Sequence, residues 1–256
     1  MIRTAVEGPF SVSTRGAENS AADQSNGFCG ANGFGVRGLT PMRNTPTRRL
    51  IWVPIVHSEA DLGNMSELVK GLHIRRMGRA AWNRHVQTIH RMWEDTRAKI
   101  DELGLDCGKV RLYQDGLPKS GHEARIVADL ARAGSQNHAL LLELMKRGAQ
   151  LTGTESPDLL LEEYEMARRM LVSAKSGGGQ TAGPVQSQLS KRLLEKRDRY
   201  IAEQIGRTLA LEETGLVFLG MLHSLGAFLP SDIQMVRLEE AWRVARQRAG
   251  RRPPGS

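Results

Sequence analysis

The sequence predicts an α/β domain built on a mainly parallel sheet of about five strands, with helices on both faces. Three observations carry this expectation. Apolar runs of strand length, Ile51–Val56 and Gly215–Leu222, alternate with long stretches of helical period. The order reads β-α-β-α-β-α-β and then a final β-α, which calls for crossover connections and parallel neighbours. The chain has 256 residues, 40% of them hydrophobic, enough for one substantial core.

Taken in order, residues 1–48 are rich in Gly, Ser, Asn and Thr without an apolar period, and read as a disordered tail. Met42 lies just before the first strand and is an alternative start codon. The first strand spans about 50–57, although Pro54 cannot donate to a ladder and usually marks an edge or a bulge. Trp82, Val86, Ile89, Trp93, Thr96, Ile100 and Leu103 recur at spacings of four and three, the stripe of a crossover helix. Gly78 interrupts that helix near its start and Gly104 stops it. Lys109–Gln114 is the second strand, closed by the turn signal Asp115-Gly116. A helix over about 121–133 turns Ile126, Val127 and Leu130 inward. Ser135 then caps a helix carrying Leu140, Leu141, Leu144 and Met145.

Residues 150–155 form a short third strand. Ser156-Pro157-Asp158 begins the next helix with a hydroxyl cap, a first-turn proline and an acid at the positive dipole end. Its buried face is Leu160, Tyr164, Ala167 and Leu171. The Gly-rich stretch 176–186 reads as a linker or a lid. The helix over about 187–210 places Leu194, Ile201, Ile205 and Thr208 on one face, with Arg197 on the same face. An arginine there needs a partner, or costs several kcal/mol, on the order of a broken buried pair. Strand four is 215–222, a short strand lies near Ile233–Val236, and a helix follows from about 237. The folded domain is set at 49–241, with a basic tail over 242–256.

The net charge of +8 belongs mostly to the ends. Five arginines against three acids in residues 1–48, and five arginines with no acid in 242–256, account for +7 of it. That argues against nucleic acid as a partner of the folded domain. Only Cys29 and Cys107 are present, too few for a disulfide framework or a four-cysteine zinc site. No apolar run is long enough to span a membrane, and no signal-peptide apolar segment follows Arg3. The expected location is the cytoplasm.

In parallel sheets ligands bind beyond the carboxyl ends of the strands. The residues expected there are His57, Asp115, Glu155 and His223. Two chemical schemes follow. In one, His57, Glu155 and His223 hold a divalent cation, zinc or manganese, whose water attacks an ester or amide. In the other, a histidine acts as general base, a carboxylate fixes its tautomer and Arg197 steadies an oxyanion. Asp198 supports the histidine, and Glu59 and Asp61 compete with Glu155 for the carboxylate part. A small-ligand or metal-binding protein without turnover is the alternative from another class, and a scaffold whose basic tails contact acidic partners is a third.

The strand-end His57, Arg197-Asp198 on a late helix, and Gly220-Met221-Leu222-His223 together resemble the superfamily of erythromycin esterases, TraB-type proteins and Tiki-type metalloproteases. The resemblance covers about residues 50–238. It implies a Gly-x-x-His near the first strand, a downstream glutamate, an arginine followed by Asn or Asp, and a second Gly-x-x-His. His57, Glu155, Arg197 and His223 take those places. Pro54 stands where the first motif has glycine, and Lys196 stands where glutamate is usual before the arginine. The superfamily includes metal-dependent peptidases, metal-free esterases and non-catalytic members, so the resemblance implies a hydrolase-like pocket without choosing the reaction.

Overall fold

The computed structural model describes residues 48–56, 61, 66–175 and 184–250. The expectations for the 1–47 tail, for Met42, Cys29, His57 and Glu59, for most of the 176–186 stretch and for 251–256 lie outside them. Five strands run in parallel: β1 (Arg48–Ile55), β2 (Val110–Gln114), β3 (Gln150–Thr152), β4 (Thr214–Gly220) and β5 (Ile233–Arg237). Their order across the sheet is β3-β2-β4-β1-β5. The helices are α1 (Ser66–Met77), α2 (Arg79–Glu102), α3 (Glu123–Arg132), α4 (Gln136–Lys146), α5 (Pro157–Lys175), α6 (Pro184–Thr208) and α7 (Leu238–Ala249). The predicted α/β class, with a parallel sheet and helices on both faces, is the one observed.

Alternation along the strands divides the core in two, because successive side chains point to opposite faces. On one face Ile51, Val53, Leu112, Leu216 and Phe218 pack under α2, α3, α4 and α7. On the other, Leu50, Tyr113, Val217 and Leu219 meet Ile201, Ala202 and Ile205 of α6. Arg48 fastens the start of β1 to the end of α6, donating to the carbonyls of Gly206 (2.7 Å) and Leu209 (2.8 Å) while its Nε meets Asp232 at 2.6 Å. Unpaired carbonyls at a helix C-terminus favour such a cation.

Several boundaries differ from those predicted, for identifiable reasons. Pro54 sits inside β1, opposite Leu219 of β4. The β5 ladder covers only Arg48 to Trp52, so the proline stands past the end of one neighbour, where a missing donor costs nothing. β1 stops at Ile55, and β4 stops at Gly220 rather than 222, which leaves His223 on the following turn. The break at Gly78 is real: its φ of 85° lies in the left-handed region that glycine tolerates, and it separates α1 from α2. On α6 the buried stripe runs through Leu193, not Leu194, to Arg197, Ile201 and Ile205. The fold also passes the 241 boundary, since α7 continues to Ala249 and its Trp242 indole donates to Glu102 of α2 at 2.7 Å.

Leu216 lies in β4 between β1 and β2 and is 0% exposed. Leu216→Ala is expected to lower stability by about 2–5 kcal/mol with an unchanged denaturant slope, as measured by urea unfolding.

Candidate functional site

The site is built outward from Arg197. One helical turn separates it from Leu193 and from Ile201, so the apolar stripe of α6 carries its side chain into the domain. The guanidinium is 0% exposed. Its Nε donates to Glu155 Oε2 at 3.1 Å, and Nη2 donates both to Glu155 Oε1 and to Asp115 Oδ1, the latter at 2.7 Å. Nη1 lies 2.7 Å from Glu163 Oε1 on α5, an ion pair without hydrogen-bond alignment. Planar bidentate pairing of this kind fixes orientation as well as charge.

Backbone geometry explains why the two acids meet there. Asp115 continues β2 by one residue, its N–H donating to Phe218 O at 2.8 Å. Glu155 is held beside it because Lys119 N donates to Glu155 O (2.9 Å) and Glu155 N to Leu117 O (3.0 Å), while Gly116 N reaches Glu155 Oε1 at 3.3 Å. Asp115 turns its second oxygen to β4, accepting from Gly220 N at 3.2 Å. A Cβ at position 220 would stand 3.3 Å from that oxygen, so glycine permits the close approach.

His223 completes the group. Its Nδ1 lies 2.5 Å from Asp198 Oδ1, and Asp198 Oδ2 accepts from Ser224 N at 2.8 Å. Nε2 faces Asp115 Oδ2 at 3.4 Å, and the imidazole is 3% exposed. Asp198 therefore orients the ring from one side, and the other nitrogen looks onto the acid that Arg197 holds.

Among the described residues, four carboxylates, those of Asp115, Glu155, Glu163 and Asp198, face two cationic side chains. This surplus of negative charge explains how protons are held. Burial alone would depress the His223 pKa, but hydrogen bonding to Asp115 and then Asp198 raises it to about 9, so the ring is imidazolium at neutral pH. Burial raises the Glu155 carboxyl above its ordinary value despite Arg197 opposing it. Burial also works against the Arg197 charge, and the carboxylates led by Glu155 outweigh it.

Glu155, Arg197 and His223, with Asp115 and Asp198, are thus brought together by three strand ends and α6. His57 and Glu59 lie outside the described residues. Asp61 is described: it accepts from Ser135 Oγ and lies 3.2 Å from His138 Nδ1 at the start of α4. Arg197 clasps Glu155 through Nε and Nη2 and Asp115 through Nη2, while its Nη1 faces Glu163 without a hydrogen bond. A metal ion shared by Glu155 and His223 would compete for atoms already engaged, since both Glu155 oxygens face Arg197 and both His223 nitrogens face acids. Among the described residues no group of three or more His, Cys, Asp or Glu is arranged to hold a metal ion. Glu163 went unforeseen, because an acid on a helix ordinarily reads as a solvated face. The signal that could have found it is the need of a buried Arg197 for partners.

Compared with known proteins, the chain matches no family model, no curated protein and no solved structure.

A histidine whose pKa is raised on folding adds stability that is complete below its unfolded value, about 6.5, and is lost as pH rises through the folded value. Wild-type unfolding free energy is therefore expected to fall between about pH 6.5 and pH 9. His223→Gln should lack this decline in the same urea series.

Proposed function

We propose that the group around His223 is the proton-handling centre of a hydrolase acting on an ester or amide. The observation that carries this reading is the Asp198–His223–Asp115 line: an imidazolium oriented through Nδ1, with Nε2 directed at a second carboxylate. A raised histidine pKa makes the ring an acid, in place of the metal-assisted chemistry put first from the sequence and of the general base in its metal-free scheme. In this reading His223 gives its Nε2 proton to the leaving oxygen or nitrogen while Asp115 Oδ2 takes one from the attacking water. Transfer across the same gap, from Asp115 back to His223, restores both groups. Arg197 does not touch the reacting atoms; it positions Asp115 and Glu155. The side chains are buried, so the reading requires the turn carrying Met221 and Leu222, both half-exposed, to part on binding.

The resemblance to the erythromycin esterase, TraB and Tiki-type superfamily supports the same assignment through His223, Arg197 and Glu155. A second reading, divalent-metal-assisted hydrolysis with zinc or manganese at His57, Glu155 and His223, draws support from the surplus of carboxylates. It requires Glu155 to leave Arg197. A small-ligand binder without turnover is the non-catalytic alternative. Among the described residues no helix is long and apolar enough to cross a membrane, and we place the protein in the cytoplasm.

The test is a panel of ester and amide substrates with wild type, His223→Ala and Asp198→Asn. Wild type should turn over at least one member, with activity falling as pH rises through about 9 and His223 loses its proton. His223→Ala should lose about 10²–10⁴-fold. Asp198→Asn should move the alkaline limb to lower pH, because the carboxylate that favours the imidazolium is gone. Turnover unaffected by His223→Ala defeats the proposal. Activity abolished by chelator and restored by zinc or manganese favours the metal reading instead.

A further inference from the structure

Away from this site, charge is distributed unevenly over the folded domain. Residues 66–92, which form α1 and the first half of α2, hold six Lys or Arg against the single acid Glu67, and three histidines besides. The sequence-wide balance conceals this, because the rest of the domain is correspondingly acidic. Ring contacts join the two helices of the hairpin. Gly78 turns the chain between the helices, and His73 of α1 packs on Trp82 (centroids 5.1 Å apart) and His85 (5.4 Å) of α2. Between the helices lies a groove of about 600 Å³, with Lys70 and Arg79 at its sides and the amides of Asn83 and Gln87 along it.

Elsewhere on the surface some arginines pair with acids and others, such as Arg168, Arg192 and Arg243, do not among the described residues; the α1–α2 hairpin is set apart by how many unpaired ones it gathers. Arg125, Arg169, Arg199 and Arg207 each pair with an acid four residues away on their own helix, and Arg147 pairs with Asp101. Arg75, Arg76, Arg79, Arg84 and Arg91 are exposed, and among the described residues none has a carboxylate within 4.0 Å. Five unpaired guanidinium groups on one hairpin repel one another, a cost that an anionic partner relieves. Arg84 and Arg91 stand two turns apart on one line, about 10 Å of rise. That spans about three phosphates of a duplex strand at about 3.4 Å each.

We infer that the α1–α2 hairpin is a binding surface for the phosphate backbone of nucleic acid. The alternative polyanion, an acidic lipid surface, suits the hairpin less well. Interfacial helices insert an exposed apolar face, whereas Trp82 is buried and Met77 is the one exposed large hydrophobic residue described in the hairpin. Guanidinium groups match phosphate oxygens bidentately, and the contact carries charge without base sequence.

The test uses the full chain and fluorescein-labelled 20-mers, duplex and single-stranded, titrated from low to moderate salt. Binding should weaken linearly on a log–log plot. The triple variant R75A/R76A/R79A should bind at least tenfold more weakly and flatten the duplex slope by about 2–3, at about 0.9 per lost phosphate contact. R75K/R76K/R79K should retain most of the affinity, since point charges suffice for backbone contact. Arg251→Ala with Arg252→Ala, in the basic C-terminus, should change little. The inference is overturned by absence of binding at low salt, by loss in the C-terminal variant with retention in the hairpin triple, or by phosphatidylserine vesicles binding as tightly as the oligonucleotides. Full competition by millimolar inorganic phosphate would also overturn it, showing a single-anion site.

Discussion

The carboxyl edge of the sheet depends on one buried guanidinium. Arg197 is wholly enclosed, and an unpaired charge in that position would cost several kcal/mol, a large share of an ordinary domain's marginal stability. It is tolerable only because Asp115 and Glu155 come from two different strand ends to meet it, with Glu163 reaching in from α5. The dependence runs both ways. Without the arginine, Asp115 and Glu155 would be buried together, with His223 the remaining cationic side chain facing them among the described residues. The clasp thereby fixes the relative positions of the β2 turn, the segment after β3, and helices α5 and α6, none of which is close in sequence to all the others.

The topology explains why the clasp lies where it does. The connections from β1 and β2 lead to helices on one face, whereas α6, which leads from β3 to β4, packs on the other. Between β2 and β4 the chain therefore leaves the sheet toward opposite sides, at the place where ligands bind in such sheets. Polar groups gathered there accept the close approach of Gly220 to Asp115, which only a residue without a Cβ permits easily. At the same sheet edge His223, three residues beyond its strand, folds back and faces Asp115.

Much of this was legible in the sequence. The period of α2 and the cap-proline-acid start of α5 gave their elements to within a few residues, because each rests on local chemistry. Arg197 on the apolar stripe of α6 announced a buried ion pair, and Asp198 beside it was marked as support for a histidine. What could not be read was the pairing. Asp115 looked like a turn residue, and it is one, but its side chain also bridges Arg197, Gly220 and His223. Glu163 looked like surface. The direction of the His223 pKa was also hidden, since it depends on two carboxylates 25 and 108 residues away along the chain. Asp61 joins Ser135 and His138, a contact that local spacing does not encode. The basic hairpin escaped notice because charge was counted over the whole domain, in which its excess is cancelled by acids elsewhere.

The claim that Arg197 and the acids form one energetic unit is tested most directly by a double-mutant cycle. Unfolding free energies of wild type, Arg197→Met, Glu155→Gln and the double variant give the coupling between the two side chains. Removing one partner of a buried pair strands the other, at a cost of about 3–5 kcal/mol, whereas removing both strands less charge. The account predicts a double variant more stable than the sum of the single losses by at least about 1 kcal/mol, within the range measured for residues in contact. Strictly additive losses would contradict it.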